Sequence, residues 1–263
     1  MTSDLLSTVV AAARRAADER EARGALPAGV PGGRRPDGAR FRQALTAPGI
    51  RVIAECKRRS PSRGVLRAQY DPAALAQAYA ASGAAAVSVL TEPTFFDGSL
   101  AHLGAVRAVV DLPLLRKDFL VTEYQITEAA TAGADAVLLI VAAMPRSRLE
   151  ALLVEATRHG LAALVEVHDA AELEYALAAD ATIVGVNSRN LRTLEVHVST
   201  FDALAPRIPS TVVAVAESGL RTGAELGRLA GLRYDAFLLG ERLVTSPDAG
   251  GALADLLASA GVP

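Results

Sequence analysis

Glu55 and Lys57 stand two residues apart where the apolar run "VIAEC" ends. Side chains alternate faces along a strand, so this acid and this base share one surface while the lone Cys56 points to the other. The arrangement recurs down the chain. "PLLRKDF" ends with Arg116, Lys117 and Asp118; "LVEVH" carries Glu166 and His168; "VGVNSRN" presents Asn187 and Arg189 on one face; "VAES" gives Glu217 and Ser218; and "LLGE" gives Gly240 and Glu241. One charged strand end is an ordinary solvated end, but a set of them brought to one place is costly to gather without a use. Of 27 basic residues only Lys57 and Lys117 are lysines, and both fall in this set. Lysine can lose its proton where arginine does not, so the chemistry indicated is proton transfer between ammonium and carboxylate groups.

Such residues need elements that end together. Apolar or β-branched runs begin near Val52, Ala86, Pro113, Ala136, Ala163, Ile183, Val212 and Ala236, at intervals of 20 to 34 residues. Between them lie helical stretches such as Pro72 to Ser82, Glu123 to Ala132, Pro145 to His159 and Ala170 to Ala179. Continuous apolar strands joined by crossover helices are parallel and buried on both faces. Eight such units predict an α/β fold, a (βα)8 TIM barrel, whose active site lies at the C-terminal strand ends. No G-x-G-x-x-G follows the first strand, which counts against an open doubly wound sheet. Before the barrel, a helical pattern from Leu5 to about Arg23, the loop "GALPAGVPGGRRPDGAR" and a short helix at Phe41 to Leu45 form an N-terminal extension over residues 1–50, leaving 51–263 for the barrel.

Glycines after the seventh and eighth strands, Gly219 in "ESGLR" and Gly240 in "LGERL", open turns where backbone N–H groups hold phosphate in many barrels. His102, His159, His168 and His197 show no metal-ligand spacing, and no G-x-S-x-G elbow exists, so neither a metal nor a serine nucleophile is expected. His168 is read as a capping or packing residue.

The chain has 263 residues and a net charge of -2, which gives no general attraction to nucleic acid or to an anionic membrane. One cysteine excludes an intramolecular disulfide and suits a reducing compartment. The N-terminus lacks a basic-then-apolar leader and no run reaches 18 apolar residues, so a soluble cytoplasmic protein is expected.

The segments "IAECKRRSPSRG", "SVLTEPTFFDGS", "LLRKDFLVTEYQI", "LVEVHDAAEL", "GVNSRNLRTLEV", "AESGL" and "LLGERL", in this order, resemble indole-3-glycerol phosphate synthase from about Ile53 to Pro247. The resemblance implies ring closure, decarboxylation and dehydration of 1-(o-carboxyphenylamino)-1-deoxyribulose 5-phosphate in tryptophan biosynthesis, without cofactor or metal. It implies Lys117 as the general acid toward the ketone, Glu166 as general acid or base in the dehydration, and Lys57 as a holder of the substrate anion and a candidate donor of a second proton. Glu55, Asn187, Arg189 and Glu217 complete the polar network. Phe96, Phe119 and Leu191 sandwich the anthranilate ring, and Ser60, Ser218, Gly219, Gly240 and Glu241 form the phosphate end. A lysine among other cations in a dry barrel mouth is expected to have its pKa drawn toward the working pH.

Two positions depart from the family pattern: Arg59 replaces a small residue in the first loop, and Ser188 replaces a frequent Asn. The expected partner is the small phosphosugar alone, and the expected state is a monomer, with a weak homo-oligomer as the alternative. Rival readings are the same chemistry on a substituted anthranilate in a specialised pathway, a non-catalytic phosphosugar-binding subunit, and the neighbouring isomerase, whose Asp/Cys pair is not matched because Cys56 points away from the mouth.

Overall fold

The computed structural model describes residues 5–27, 29 and 34–261. Within the Gly/Pro/Arg loop, residues 28 and 30–33 lie outside the described residues. Eight parallel strands, β1 (Arg51–Cys56), β2 (Ala86–Leu90), β3 (Leu114–Lys117), β4 (Ala136–Ile140), β5 (Ala162–Val167), β6 (Ile183–Asn187), β7 (Val213–Glu217) and β8 (Ala236–Leu239), close into a barrel in chain order. Every strand starts within one residue of its expected position. Closure is made by β1, which pairs with β8 through Ile53 opposite Leu238 and with β2 through Glu55 opposite Ser88.

Period-two alternation sorts each strand into two faces. Ile53, Ala86, Leu115, Leu138, Leu164, Ile183, Val215 and Leu238 fill the barrel interior, whereas Val52, Ala54, Cys56, Val87, Val165 and Val184 pack outward against the helices. Both faces are apolar, which is why the strands read as continuous runs. The crossover helices begin at clear caps. Asp71 accepts the Ala73 and Ala74 N–H groups ahead of Pro72–Ala81, Thr122 and Gln125 form a reciprocal capping box ahead of Glu123–Thr131, and Asp169 accepts the Glu172 N–H ahead of Ala170–Ala178.

The two N-terminal helices serve opposite ends. Helix α1 (Leu5–Ala22) lies at the C-terminal mouth, where Leu6 and Val9 are buried. Arg20 on α1 grips Glu128 at 2.6 Å, and Arg14 donates to the Val121 carbonyl at 3.1 Å. Helix α2 (Gly38–Thr46) is longer than the Phe41–Leu45 expected from sequence. It plugs the N-terminal end with Phe41 and Leu45, both fully buried among the interior residues. Burial of each is worth about 2 kcal/mol. Gly38 is required there because a Cβ would meet Ala162 N at 2.3 Å.

Candidate active site

Inward-facing residues change from apolar to charged in the last layer of the barrel. Glu55 is the penultimate residue of β1, Lys117 ends β3, Glu166 follows Leu164 on the same face of β5, and Asn187 and Glu217 stand opposite one another on β6 and β7. Together they line a cavity of about 880 Å³ that also takes in Lys57, Ser60, Phe96, Phe119, Arg189, Leu191, Ser218, Gly219, Gly240 and Glu241. All fifteen residues that the resemblance assigned to the site therefore border one cavity.

Lys117 is the centre. Its Nζ lies 3.4 Å from Glu166 Oε2 and 3.6 Å from Glu217 Oε2, and both carboxylates are 1% exposed. A second pair sits beside it, with Lys57 Nζ 2.5 Å from Glu55 Oε1. Burial alone would lower the Lys117 pKa, but the charges of Glu166, Glu217 and Glu55 outweigh it, and the group is held above the ordinary lysine value. The expectation of a pKa drawn toward the working pH is corrected here: Lys117 is surrounded by anions, not by cations. Glu166 and Glu217 diverge. Burial pushes Glu217 upward, and the nearby Glu166 and Glu55 add to this against Lys117. For Glu166 burial is overcome by Lys117, His168 and Asn187, so it is shifted downward and stays ionised. The two carboxyl groups that flank a single ammonium are thus pushed in opposite directions.

The polar layer depends on two absent side chains. A Cβ at Gly185 would stand 2.0 Å from Glu217 Oε1, and one at Gly240 would stand 2.3 Å from Glu55 Oε1. Sequence reading placed Gly240 at the phosphate end only and passed over Gly185, because the side chains these glycines admit come from other strands.

Opposite walls of the cavity differ. Phe96 and Phe119 face each other with ring centroids 6.4 Å apart, tilted by 36°. Across from them, Ser218 and Gly219 hold successive left-handed conformations, φ 67° and 74°, which turns the chain sharply after β7. Ser188, one of the two departures, supports that turn by donating its hydroxyl to the Ser218 carbonyl at 3.1 Å. The other departure, Arg59, lies 3.8 Å from Asp97, and Arg58 donates to the same carboxylate at 3.0 Å, joining the first loop to the loop after β2.

Two readings are revised. Arg116 was grouped with the mouth, but it is 1% exposed and faces away, bound to Asp118, Glu128 and the Gln125 carbonyl. His168 is neither cap nor filler: its ring lies between Glu166 and Glu172. The Glu241 carboxylate reaches Arg63 at 2.9 Å and Arg189 at 3.9 Å. Arg63 and the α1 residues Leu5, Leu6 and Val9 also line the cavity and were not expected there. Among the described residues no cluster of three His, Cys, Asp or Glu has the geometry of a metal site, and no helix is long and apolar enough to cross a membrane.

Comparison with known proteins points to one family. The family model for indole-3-glycerol phosphate synthase matches residues 7–256. The indole-3-glycerol phosphate synthase of Parafrankia sp. (strain EAN1pec) is 56% identical over 213 residues, covering 81% of this chain and 80% of that protein. Indole-3-glycerol phosphate synthase 1 of Streptomyces coelicolor is 54% identical over 216 residues, covering 82% of this chain and 80% of that protein. Among solved structures, 3-hexulose-6-phosphate synthase from Salmonella typhimurium aligns with a TM-score of 0.63 over 79% of this chain and 97% of its own; at 10% identity the likeness is one of fold.

Proposed function

The chain belongs to the indole-3-glycerol phosphate synthase family, and from that membership we propose how its barrel mouth carries the reaction. The chain is a carboxy-lyase of tryptophan biosynthesis that closes the indole ring of its phosphosugar substrate with loss of CO2 and water. The observation that carries the residue assignment is Lys117, held 3.4 Å from Glu166 and 3.6 Å from Glu217 between an aromatic wall and the turn after β7.

The substrate has an aromatic end and a phosphate end, and the cavity has walls to match. The anthranilate ring lies between Phe96, Phe119 and Leu191, and the phosphate lies at Ser218, Gly219 and Gly240, where backbone N–H groups and Arg189 meet it, with Ser60 and the Glu241 backbone N–H closing the shell. Binding there displaces the Glu241 carboxylate from Arg189. Lys57, freed from Glu55, meets the substrate carboxylate and stands near enough to supply a second proton. These contacts hold the ketone at Lys117, and most of the rate comes from that positioning.

In the first step the ring carbon bearing the carboxylate attacks the ketone carbon, and Lys117 gives its proton to the oxygen as the new bond forms. Its raised pKa makes it a full ammonium, so it stabilises the developing alkoxide by charge as well as by the proton it transfers. The C–C bond to the carboxylate then breaks, and its electron pair restores the aromatic ring as CO2 departs. In the dehydration the new hydroxyl takes a second proton, from Lys57, and leaves as water, and a proton leaves the adjacent ring carbon. Glu166, ionised, takes that proton, while Glu217, favoured in its protonated form, stands on the other side of Lys117 and restores the ammonium. Asn187 and Glu55 orient the two carboxylate–amine pairs.

One barrel holds the whole site, which supports a monomer, and the single buried Cys56 suits a cytoplasmic location. Residues 1–50 act as an extension of barrel 51–263, since α1 borders the mouth and α2 plugs the base. The test is to mix purified protein with the carboxyphenylamino-deoxyribulose phosphate, with no metal or nucleotide added, and to follow indole fluorescence and CO2 together. Equal release of both is expected. A flat trace with tight binding would instead identify a phosphosugar-binding subunit.

A further inference from the structure

The Lys117–Glu166 contact continues outward through two residues that do not border the cavity. Glu166 Oε1, the oxygen that does not face Lys117, lies 3.4 Å from His168 Nε2, an off-axis charge contact and not an aligned hydrogen bond. His168 Nδ1 lies 2.9 Å from Glu172 Oε2, and the same oxygen accepts the His168 backbone N–H at 2.8 Å. Glu172 is itself fixed in the first turn of the Ala170–Ala178 helix, where its N–H donates to the Asp169 side chain at 2.9 Å. Side-chain exposure falls from 21% at Glu172 to 13% at His168 and 1% at Glu166. Charge alternates along this line from surface to centre.

Glu166 has need of a second cation. Facing it are Lys117 from β3, Asn187 from β6, Glu217 from β7 and the Glu55–Lys57 pair from β1, while β4 and β8 present the apolar Ile140 and Leu238. Lys117 is shared with Glu217, and Lys57 is engaged by Glu55 before substrate binds and by the substrate carboxylate afterwards. Once Lys117 turns to the substrate ketone, the cation left against Glu166 among the described residues is the imidazolium behind it. His168 cannot touch the substrate, because neither it nor Glu172 borders the cavity.

We infer that His168, anchored by Glu172, is a positioning residue that keeps Glu166 oriented and ionised while Lys117 is occupied by the substrate. The inference rests on the role proposed above for Glu166. Burial opposes charging the ring, but Glu166 and Glu172 outweigh it and raise the His168 pKa to about 10, so the imidazolium persists through neutral pH. Removing its charge lets the Glu166 pKa rise, and the acid limb of turnover follows it upward.

The experiment measures kcat and KM against pH for His168→Gln, which leaves an amide near the Nε2 position without charge, and for Glu172→Gln, with Glu166→Gln in parallel. The expected result for His168→Gln is a severalfold lower kcat, an unchanged KM, and an acid limb moved up by about one pH unit. Glu172→Gln moves the limb the same way by less, and it carries the test if His168→Gln does not fold. An acid limb that stays in place in both variants would overturn the inference, whatever the height of the profile. Wild-type turnover in Glu166→Gln would overturn the reading of Glu166 itself; an inactive Glu166→Gln with an unmoved limb in the other variants overturns the His168 role alone.

Discussion

The two ends of the barrel both bury carboxylates, and they treat them differently. At the N-terminal end Asp135 is fully buried, yet it accepts the Leu114 N–H at 2.9 Å, the Asp37 N–H at 3.0 Å and Arg107 Nη1 at 3.1 Å. At the mouth neither oxygen of Glu217 has a hydrogen-bond partner, and its nearest cation is shared with Glu166. Burying a polar group without a partner costs stability, so Asp135 holds the fold together while Glu217 is maintained at a cost that function must justify. A buried charge is therefore not in itself a mark of chemistry. The mark is a buried carboxyl group whose bonding is left incomplete beside a cavity.

Substitutions at the two ends should separate these roles. Lys117→Ala is expected to lower turnover by about 10²- to 10⁴-fold while the protein stays folded, and kinetics with thermal melting on the same sample would check it. Asp135→Ala is expected to do the reverse. It leaves Arg107 without its buried partner and costs about 3 kcal/mol in denaturant unfolding, with kcat per folded molecule unchanged. If the Asp135 variant lost turnover and kept its stability, the contrast between the ends would collapse.

A smaller effect sharpens the contrast through pH. The Glu217 pKa is raised in the folded protein, chiefly by burial, so the folded state holds a proton that the unfolded chain releases. The stability this confers is full below the ordinary carboxylate pKa and declines as pH rises through the folded value. Glu217→Gln removes that decline, so its stability relative to the wild type should increase from mildly acidic toward alkaline pH. A difference that does not vary with pH would show that Glu217 is ionised in the fold. The smallest effect is expected at Arg59, whose ion pair with Asp97 is partly exposed at 3.8 Å. Arg59→Ala should change stability by no more than about 0.5 kcal/mol, and a larger loss in chemical denaturation would mean that the first loop braces the barrel.

The strands and the mouth were legible in the sequence because both follow from local period. Alternation alone put Glu55 and Lys57 on one face and Cys56 on the other, and the apolar runs marked where each strand ends. The same rule, applied to "RK", separates Arg116 from Lys117, since neighbours on a strand face opposite ways. What could not be read are contacts between residues far apart in the chain. Gly185 is empty because Glu217 needs the space, α2 plugs the base because Phe41 and Leu45 fit the interior, and Arg63 borders the cavity because its loop folds toward Glu241. The surroundings of Lys117 failed for the same reason: its pKa is set by carboxylates from three other strands.

The most direct test of Lys117 as proton donor is a single-turnover measurement with Lys117→Arg, in which charge is kept and proton release is not. The expected result is that the substrate still binds while indole fluorescence and CO2 release fall almost as far as in Lys117→Ala. A near-wild-type rate in the arginine variant would contradict it and show that positive charge at the end of β3 is enough.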